Sequence, residues 1–174
     1  MTLERLWAGW RAGYIEEVAT APAAVDGECL FCALAAADPY DALVLARDDF
    51  VFAVMNAYPY TSGHLMIAPL RHEAALTGLR RAEANALMAM TQAANAALDA
   101  AYRPDGVNLG VNLGRAAGAG VPGHVHLHAV PRWVGDTNFM TAVAETRVLP
   151  ESLRTSFEKL KKAWPHSETS STGQ

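Results

Sequence analysis

Three histidines at alternate positions, His124, His126 and His128, stand in the run from Gly123 to Val130. In an extended strand side chains alternate faces, so this spacing predicts three imidazoles on one face, about 7 Å apart along the strand. Val125, Leu127 and Ala129 then point into a core behind them. Three of the chain's six histidines fall within five residues, a concentration that scattered structural histidines do not produce. A row of neutral imidazoles suits metal ligation, phosphate binding or nucleophilic catalysis, and the row alone leaves all three open. Both cysteines share one unit, Cys29-Leu-Phe-Cys32. That spacing fits a metal knuckle or a redox pair better than a structural disulfide. Directly before the histidines, loop 114–123 carries glycines at 114, 118, 120 and 123, whose backbone N–H groups can approach an anion closely.

The elements that must position these groups follow from pattern and punctuation. Residues 42–47 and 50–55 read as two strands with Asp48-Asp49 as their turn, and His64–Pro69 reads as a third. The loop between the second and third strands is Asn56-Ala-Tyr-Pro-Tyr-Thr-Ser-Gly63. A long helix is predicted over about 77–101, with Leu76, Leu79, Leu87, Met90, Ala94, Leu98 and Tyr102 along one face and Thr77 as N-cap. Arg103-Pro-Asp-Gly106 ends it. Residues 107–113 form a fourth strand and the histidine run a fifth. Pro150 opens a last helix to about Trp164, with Glu151 in its first turn and Lys159, Lys161 and Lys162 near its end, matching the helix dipole. A short alanine-rich piece follows the Cys29–Cys32 turn, and Asp38-Pro-Tyr-Asp41 breaks it. Residues 3–17 place Leu6, Trp7, Trp10 and Tyr14 on one stripe of a short helix, packed either on its own domain or on a partner subunit. Strands set apart from one main helix give an α+β fold with a largely antiparallel sheet of about five strands.

Composition bounds the function. With 174 residues, 51% of them apolar, the chain can bury one core, expected as a single domain over 1–164 with an N-terminal arm at 1–28 and a flexible tail at 165–174. A net charge of −4 argues against a nucleic-acid partner, which selects a basic surface. No apolar run reaches membrane-spanning length and no secretion signal is recognisable, so no membrane association and a cytoplasmic location are expected.

The residues His124-Val-His126-Leu-His128-Ala-Val130 resemble the signature of the histidine triad family. Leu6-Trp-Ala-Gly-Trp-Arg11, the cysteine knuckle, Asn56-Ala-Tyr-Pro-Tyr60, Gly63-His64-Leu65, Asn112-Leu-Gly114, Pro131-Arg-Trp133 and Gly135-Asp-Thr-Asn-Phe139 extend the likeness to the bacterial branch that includes diadenosine tetraphosphate phosphorylases. The resemblance implies an enzyme acting at the α-phosphate of a nucleotide conjugate that carries an AMP moiety. It makes His126 the nucleophile, His128 a phosphate contact and His64 a further catalytic histidine on the neighbouring strand. It assigns Asn56 to the ribose, with a plain loop-turn asparagine as the alternative, and Asn112, Gly118, Ala119, Gly120 and Trp133 to the nucleotide and its phosphates. It implies a structural zinc held by Cys29, Cys32, His72 and His124, no organic cofactor, and a homodimer or tetramer. The loop departs from the phosphorylase pattern in one place: Gly118-Ala119-Gly120 stands where that branch has Gly-Gly-Ser. Without a serine hydroxyl to hold an accepting phosphate, phosphorolysis and hydrolysis both stay open. Two alternatives share the triad: a purine nucleoside phosphoramidate hydrolase, and a nucleotide-binding protein with incidental turnover.

Overall fold

The computed structural model describes residues 29–136 and 151–165. Within them five strands form one antiparallel sheet in the order β1-β2-β3-β5-β4: β1 Val44–Arg47, β2 Val51–Met55, β3 Leu65–Pro69, β4 Gly106–Val111 and β5 Leu127–Arg132. Three helices accompany it: α1 Leu30–Ala36, α2 Arg81–Tyr102 and α3 Leu153–Ala163. The predicted helix at 3–17, the end of the Gly135–Phe139 motif and the tail lie outside the described residues.

Alternation along the strands sorts the core into two layers. Val51, Ala53, Met55, Leu65, Ile67, Leu127 and Ala129 face α2 and α3 and pack on Leu87, Ala94, Leu98, Phe157 and Leu160. Phe52, Val54, Met66 and Ala68 face the other way, onto Phe31 and Ala35 of α1. Met66 pairs with His128 across the β3–β5 ladder, so the histidines emerge on the face that α1 covers. The apolar seal on both faces explains why β2 and β3 are buried at every position.

Several boundaries differ from expectation for identifiable reasons. The first strand starts at Val44 because Leu43 takes a left-handed conformation, φ 57°, closing the turn from Pro39. The Asp48-Asp49 turn forms as predicted, with Asp48 Oδ1 accepting the N–H groups of Phe50 and Val51 at 2.7 Å. The long helix does not begin at Thr77. Residues 76–78 make a single 3₁₀ turn, and α2 starts after Arg80, whose N–H donates to Glu83 Oε2 at 2.7 Å; an acidic side chain at the third helical position caps better here than the threonine hydroxyl upstream. The alanine-rich piece is α1, with Cys29 as its N-cap and Cys32 in its first turn. The last helix is capped by Ser152, whose Oγ accepts Thr155 N–H. Glu151 precedes it and binds Ser156 Oγ and Lys159 Nζ at 2.7 Å, as well as the Tyr102 hydroxyl.

Candidate active site

The five-residue histidine row divides between loop and strand. His124 and His126 precede the first ladder residue of β5, and only His128 lies within it. The chain is held there by Val125 N–H donating to Glu73 O at 2.7 Å. The three rings are consequently not an even row: His126 and His128 stand 4.9 Å apart between centroids, while His124 turns toward α1 and the cysteines. His124 and His126 are buried, with the Phe31 ring 5.3 and 4.6 Å from their centroids.

Hydrogen bonds fix the tautomer of each ring. His124 Nε2 donates to the carbonyl of Pro69 at 2.9 Å, which leaves its Nδ1 lone pair toward Cys29 Sγ at 3.2 Å and Cys32 Sγ at 3.8 Å. His126 Nδ1 donates to the carbonyl of His124 at 2.8 Å, which leaves the lone pair on Nε2. His64 Nδ1 accepts the N–H of Tyr60 at 3.1 Å, so its proton is on Nε2, 2.9 Å from His128 Nδ1. His128 therefore accepts at Nδ1 and carries its own proton on Nε2. A nucleophilic nitrogen and a donor N–H thus stand side by side, on His126 and His128. Burial pushes both rings below their ordinary pKa, His128 to about 4 with His126 adding to the effect, so both are neutral at pH 7.

The loop that carries Asn56 and His64 is built around this pair. Asn56 Nδ2 lies 3.3 Å from His64 Nδ1 and its Oδ1 accepts Tyr58 N–H at 3.0 Å. The Tyr60 ring packs on His64 and lies parallel to His128, 6.3 Å away. Sequence reading missed Tyr60 as a functional position; its signal was its place at the end of the Asn56–Tyr60 motif, three residues before the Gly63-His64 pair. Gly63 turns the chain into His64 at φ 83°, where a side chain is strained.

The other expected residues are placed unevenly. Asn112 Nδ2 reaches the carbonyl of Gly118 at 3.5 Å and so spans the glycine loop. Gly118 adopts φ 84°, Ala119 is buried, and a side chain at Gly120 would meet open space. Trp133 instead packs edge-on against Tyr102 of α2, 6.2 Å between centroids, and contacts none of the histidines among the described residues.

Cys29, Cys32, His72 and His124 offer four ligand atoms that all lie within 4.8 Å of one another. Tetrahedral zinc with sulfur and nitrogen ligands needs ligand–ligand separations of about 3.3–3.8 Å. The Cys32–His72 separation is 3.5 Å and the cysteine–His124 separations are 3.2 and 3.8 Å. With His124 Nε2 engaged by Pro69, its Nδ1 is the atom left to coordinate. The donor set fits a structural zinc.

A sheet whose β5 and the turn into it present a tautomer-locked imidazole with a free Nε2 lone pair beside a donor imidazole defines a class, and the comparisons agree with it. The model of the HIT domain matches residues 39–134, and the chain belongs to the histidine triad family. It is 39% identical over 168 residues to the AP-4-A phosphorylase of Mycobacterium tuberculosis, covering 93% of this chain and 85% of that one. An uncharacterised HIT-like protein of the same organism is 33% identical over 108 residues, 62% of this chain and 74% of its own. Among solved structures, a zinc-bound histidine triad family protein from Mycobacterium smegmatis superposes with TM-score 0.64 at 29% identity, covering 78% of this chain and 92% of that one. Within the family this chain is a nucleotide hydrolase or transferase.

Proposed function

We propose that this enzyme cleaves a dinucleoside polyphosphate such as diadenosine tetraphosphate at the α-phosphate, through a nucleotidyl–His126 intermediate. The observation that carries the reading is the 2.8 Å bond from His126 Nδ1 to the His124 carbonyl, which leaves the Nε2 lone pair free to attack. Nε2 forms a bond to the α-phosphorus as the bond to the bridging oxygen breaks, and the remaining nucleoside polyphosphate leaves as an anion. The ring that results is positively charged, and its Nδ1–H bond to the carbonyl strengthens with that charge. His128 Nε2–H donates a hydrogen bond to a phosphate oxygen; neutral imidazole is too weak an acid to give up that proton. His64 holds His128 in this tautomer. Water or inorganic phosphate then attacks the phosphorus, the P–N bond breaks, and the electron pair returns to His126. Water yields AMP; phosphate yields ADP.

Asn56 near the sugar, and Asn112 with the backbone of Gly118, Ala119 and Gly120 around the phosphates, complete the binding site in this reading. Zinc at Cys29, Cys32, His72 and His124 serves as a structural anchor for the strand entrance. The 39% identity to a protein named AP-4-A phosphorylase supports the substrate class. The enzyme works as a homodimer, a reading supported by the position of β4 at the sheet edge and by Leu109, half exposed upon it.

Product analysis on diadenosine tetraphosphate with and without inorganic phosphate tests the proposal. ATP plus ADP, formed only with phosphate, is expected of phosphorolysis; ATP plus AMP regardless of phosphate is expected of hydrolysis. No turnover of this substrate, with efficient cleavage of an AMP–amine conjugate, overturns the substrate assignment in favour of a phosphoramidate hydrolase.

A further inference from the structure

The segment from Pro69, the last residue of β3, through the loop to Gly78 does more than carry His72, because two of its carbonyls hold the histidine run. Pro69 O accepts His124 Nε2–H at 2.9 Å and Glu73 O accepts Val125 N–H at 2.7 Å. These bonds lie on either side of the His124 carbonyl that sets the tautomer of His126. The loop is in turn fixed to the start of α2 by one guanidinium. Arg71 meets Glu83 in a two-pronged pair, Nε to Oε1 and Nη2 to Oε2, both 2.8 Å. Its Nη1 reaches Glu73 Oε2 at 3.0 Å and its Nη2 also reaches the carbonyl of Gly78 at 2.8 Å. Glu73 Oε1 accepts Ala75 N–H at 3.0 Å.

Three features mark this cluster as more than a surface ion pair, which is ordinarily worth little. Glu83 is only 3% exposed although it carries a charge, and a buried carboxylate needs full pairing to be tolerated. It has that pairing: two Arg71 nitrogens and the Arg80 N–H, with Arg71 the main cause that holds its carboxyl down at about pKa 2. The Glu73 carboxylate also lies directly over Gly78, where a Cβ would fall 2.3 Å from its carboxyl carbon. Arg71 itself is one residue from His72 and two from Pro69 and Glu73.

We infer that Glu83 is a positioning residue for the active site: through Arg71 it clamps the loop that follows β3 so that the Glu73 carbonyl holds the backbone N–H of Val125, next to the His124 carbonyl that orients His126. The inference rests on the proposed function only for what the held strand does; the clamp itself is independent of substrate. Glu83 touches no substrate atom. Its loss lets the Val125 N–H open and misaligns the attacking nitrogen, which lowers kcat and leaves ground-state binding of the nucleotide nearly unchanged.

The test compares wild type, Glu83→Gln and Thr91→Ala at a temperature where all three are folded. Thr91 is a buried residue of the same helix whose hydroxyl donates only to Leu87 O, so its variant controls for general destabilisation of α2. The readouts are the exchange rate of the Val125 amide hydrogen by NMR and the kcat and KM for diadenosine tetraphosphate. Glu83→Gln is expected to raise Val125 exchange at least tenfold above Thr91→Ala and to lower kcat about tenfold with KM within about twofold. If Glu83→Gln tracks Thr91→Ala in either exchange or kcat, the inference is overturned. If Glu83→Gln does not fold, Arg71→Lys, which keeps the charge and loses the fork, is judged by the same two readouts. A wild type that does not turn over the substrate refutes the proposed function, and Val125 exchange alone then decides the clamp.

Discussion

The main-chain carbonyl of His124 lies 2.8 Å from Nδ1 of His126, so the residue that offers a ring nitrogen to the cluster of Cys29, Cys32 and His72 also sets, through its backbone, the tautomer of the residue two positions on. One residue serves both sites. The two rings are held in opposite tautomers: His124 keeps its Nδ1 lone pair because its Nε2 is engaged, and His126 keeps its Nε2 lone pair because its Nδ1 is engaged, as the proposed metal ligand and nucleophile require. The x-His-x-His spacing supplies the second condition locally, whereas the first comes from the carbonyl of Pro69 at the end of β3.

His126→Ala removes the attacking nitrogen and leaves the carbonyl of His124 in place. Turnover of diadenosine tetraphosphate is expected to fall by at least about 10³-fold, with AMP affinity changed by less than about tenfold. Acid quenching with labelled substrate should trap a nucleotidyl–protein adduct in the wild type and none in the variant. Residual activity near wild-type level would reject covalent catalysis by this residue.

The pH dependence of stability should report His128. Its pKa lies at about 4 in the fold against an ordinary 6.5, chiefly through burial and secondarily through His126. The groups facing it are His64, Tyr60 and His126, none of them acidic. Between those two pKa values the unfolded chain binds the proton and the folded chain does not, so stability rises with pH there. The contribution is fully present above pH 6.5 and is lost as pH falls toward 4. Urea midpoints at pH 7 and pH 5 should therefore drop further for the wild type than for His128→Asn; equal drops would mean His128 titrates normally.

Much of this site was legible in the sequence, and the illegible parts share a cause. The β-strands and the Asp48 turn followed from alternation and turn residues, which are local signals, whereas the placing of β5 between β3 and β4 rests on long-range pairing. The triad and the Cys29–Cys32 pair announced chemistry through residue type and spacing. The period-two argument failed at His124 and His126 because it presumed a regular strand, whereas bonds to Pro69 and Glu73 hold that stretch just outside the ladder. Those partners lie more than 50 residues away, and no local pattern encodes them. The start of α2 was misplaced for a similar reason: Thr77 looked like a cap, but the loop before the helix is committed to Arg71 and Glu73. Likewise, α1 was hidden behind its alanines, which mark helix propensity weakly in a seven-residue segment.

Metal content tests the four-residue cluster directly. Protein purified without added metal should carry about one zinc per chain. Stripping it with a chelator should lower Tm by roughly 10 °C, if the site contributes about 3 kcal/mol to a chain of this length. Cys32→Ser should show the same loss without a chelator. Well-folded protein with substoichiometric zinc and an unchanged Tm after chelation would count against a structural metal.

Gly63 sits where two requirements meet, and they can be separated. Its φ of 83° is one that side chains avoid, and an added Cβ would stand 2.9 Å from Tyr102 Cε2 and 3.2 Å from Leu98 Cδ2. The left-handed conformation alone should cost Gly63→Ala about 1–3 kcal/mol. The contact with Tyr102 adds to this and pushes the turn, and His64 with it, away from His128. Turnover should then fall more than stability alone explains, because His64 no longer fixes the proton on His128 Nε2. Pairing the change with Tyr102→Leu removes the ring that the new methyl would strike. In a double-mutant cycle of urea midpoints and kcat, the pair should recover the steric part, a coupling of about 0.5–2 kcal/mol, and retain the backbone part. Strict additivity would mean that Tyr102 does not hold the turn, and that the glycine is required by its dihedral angle alone.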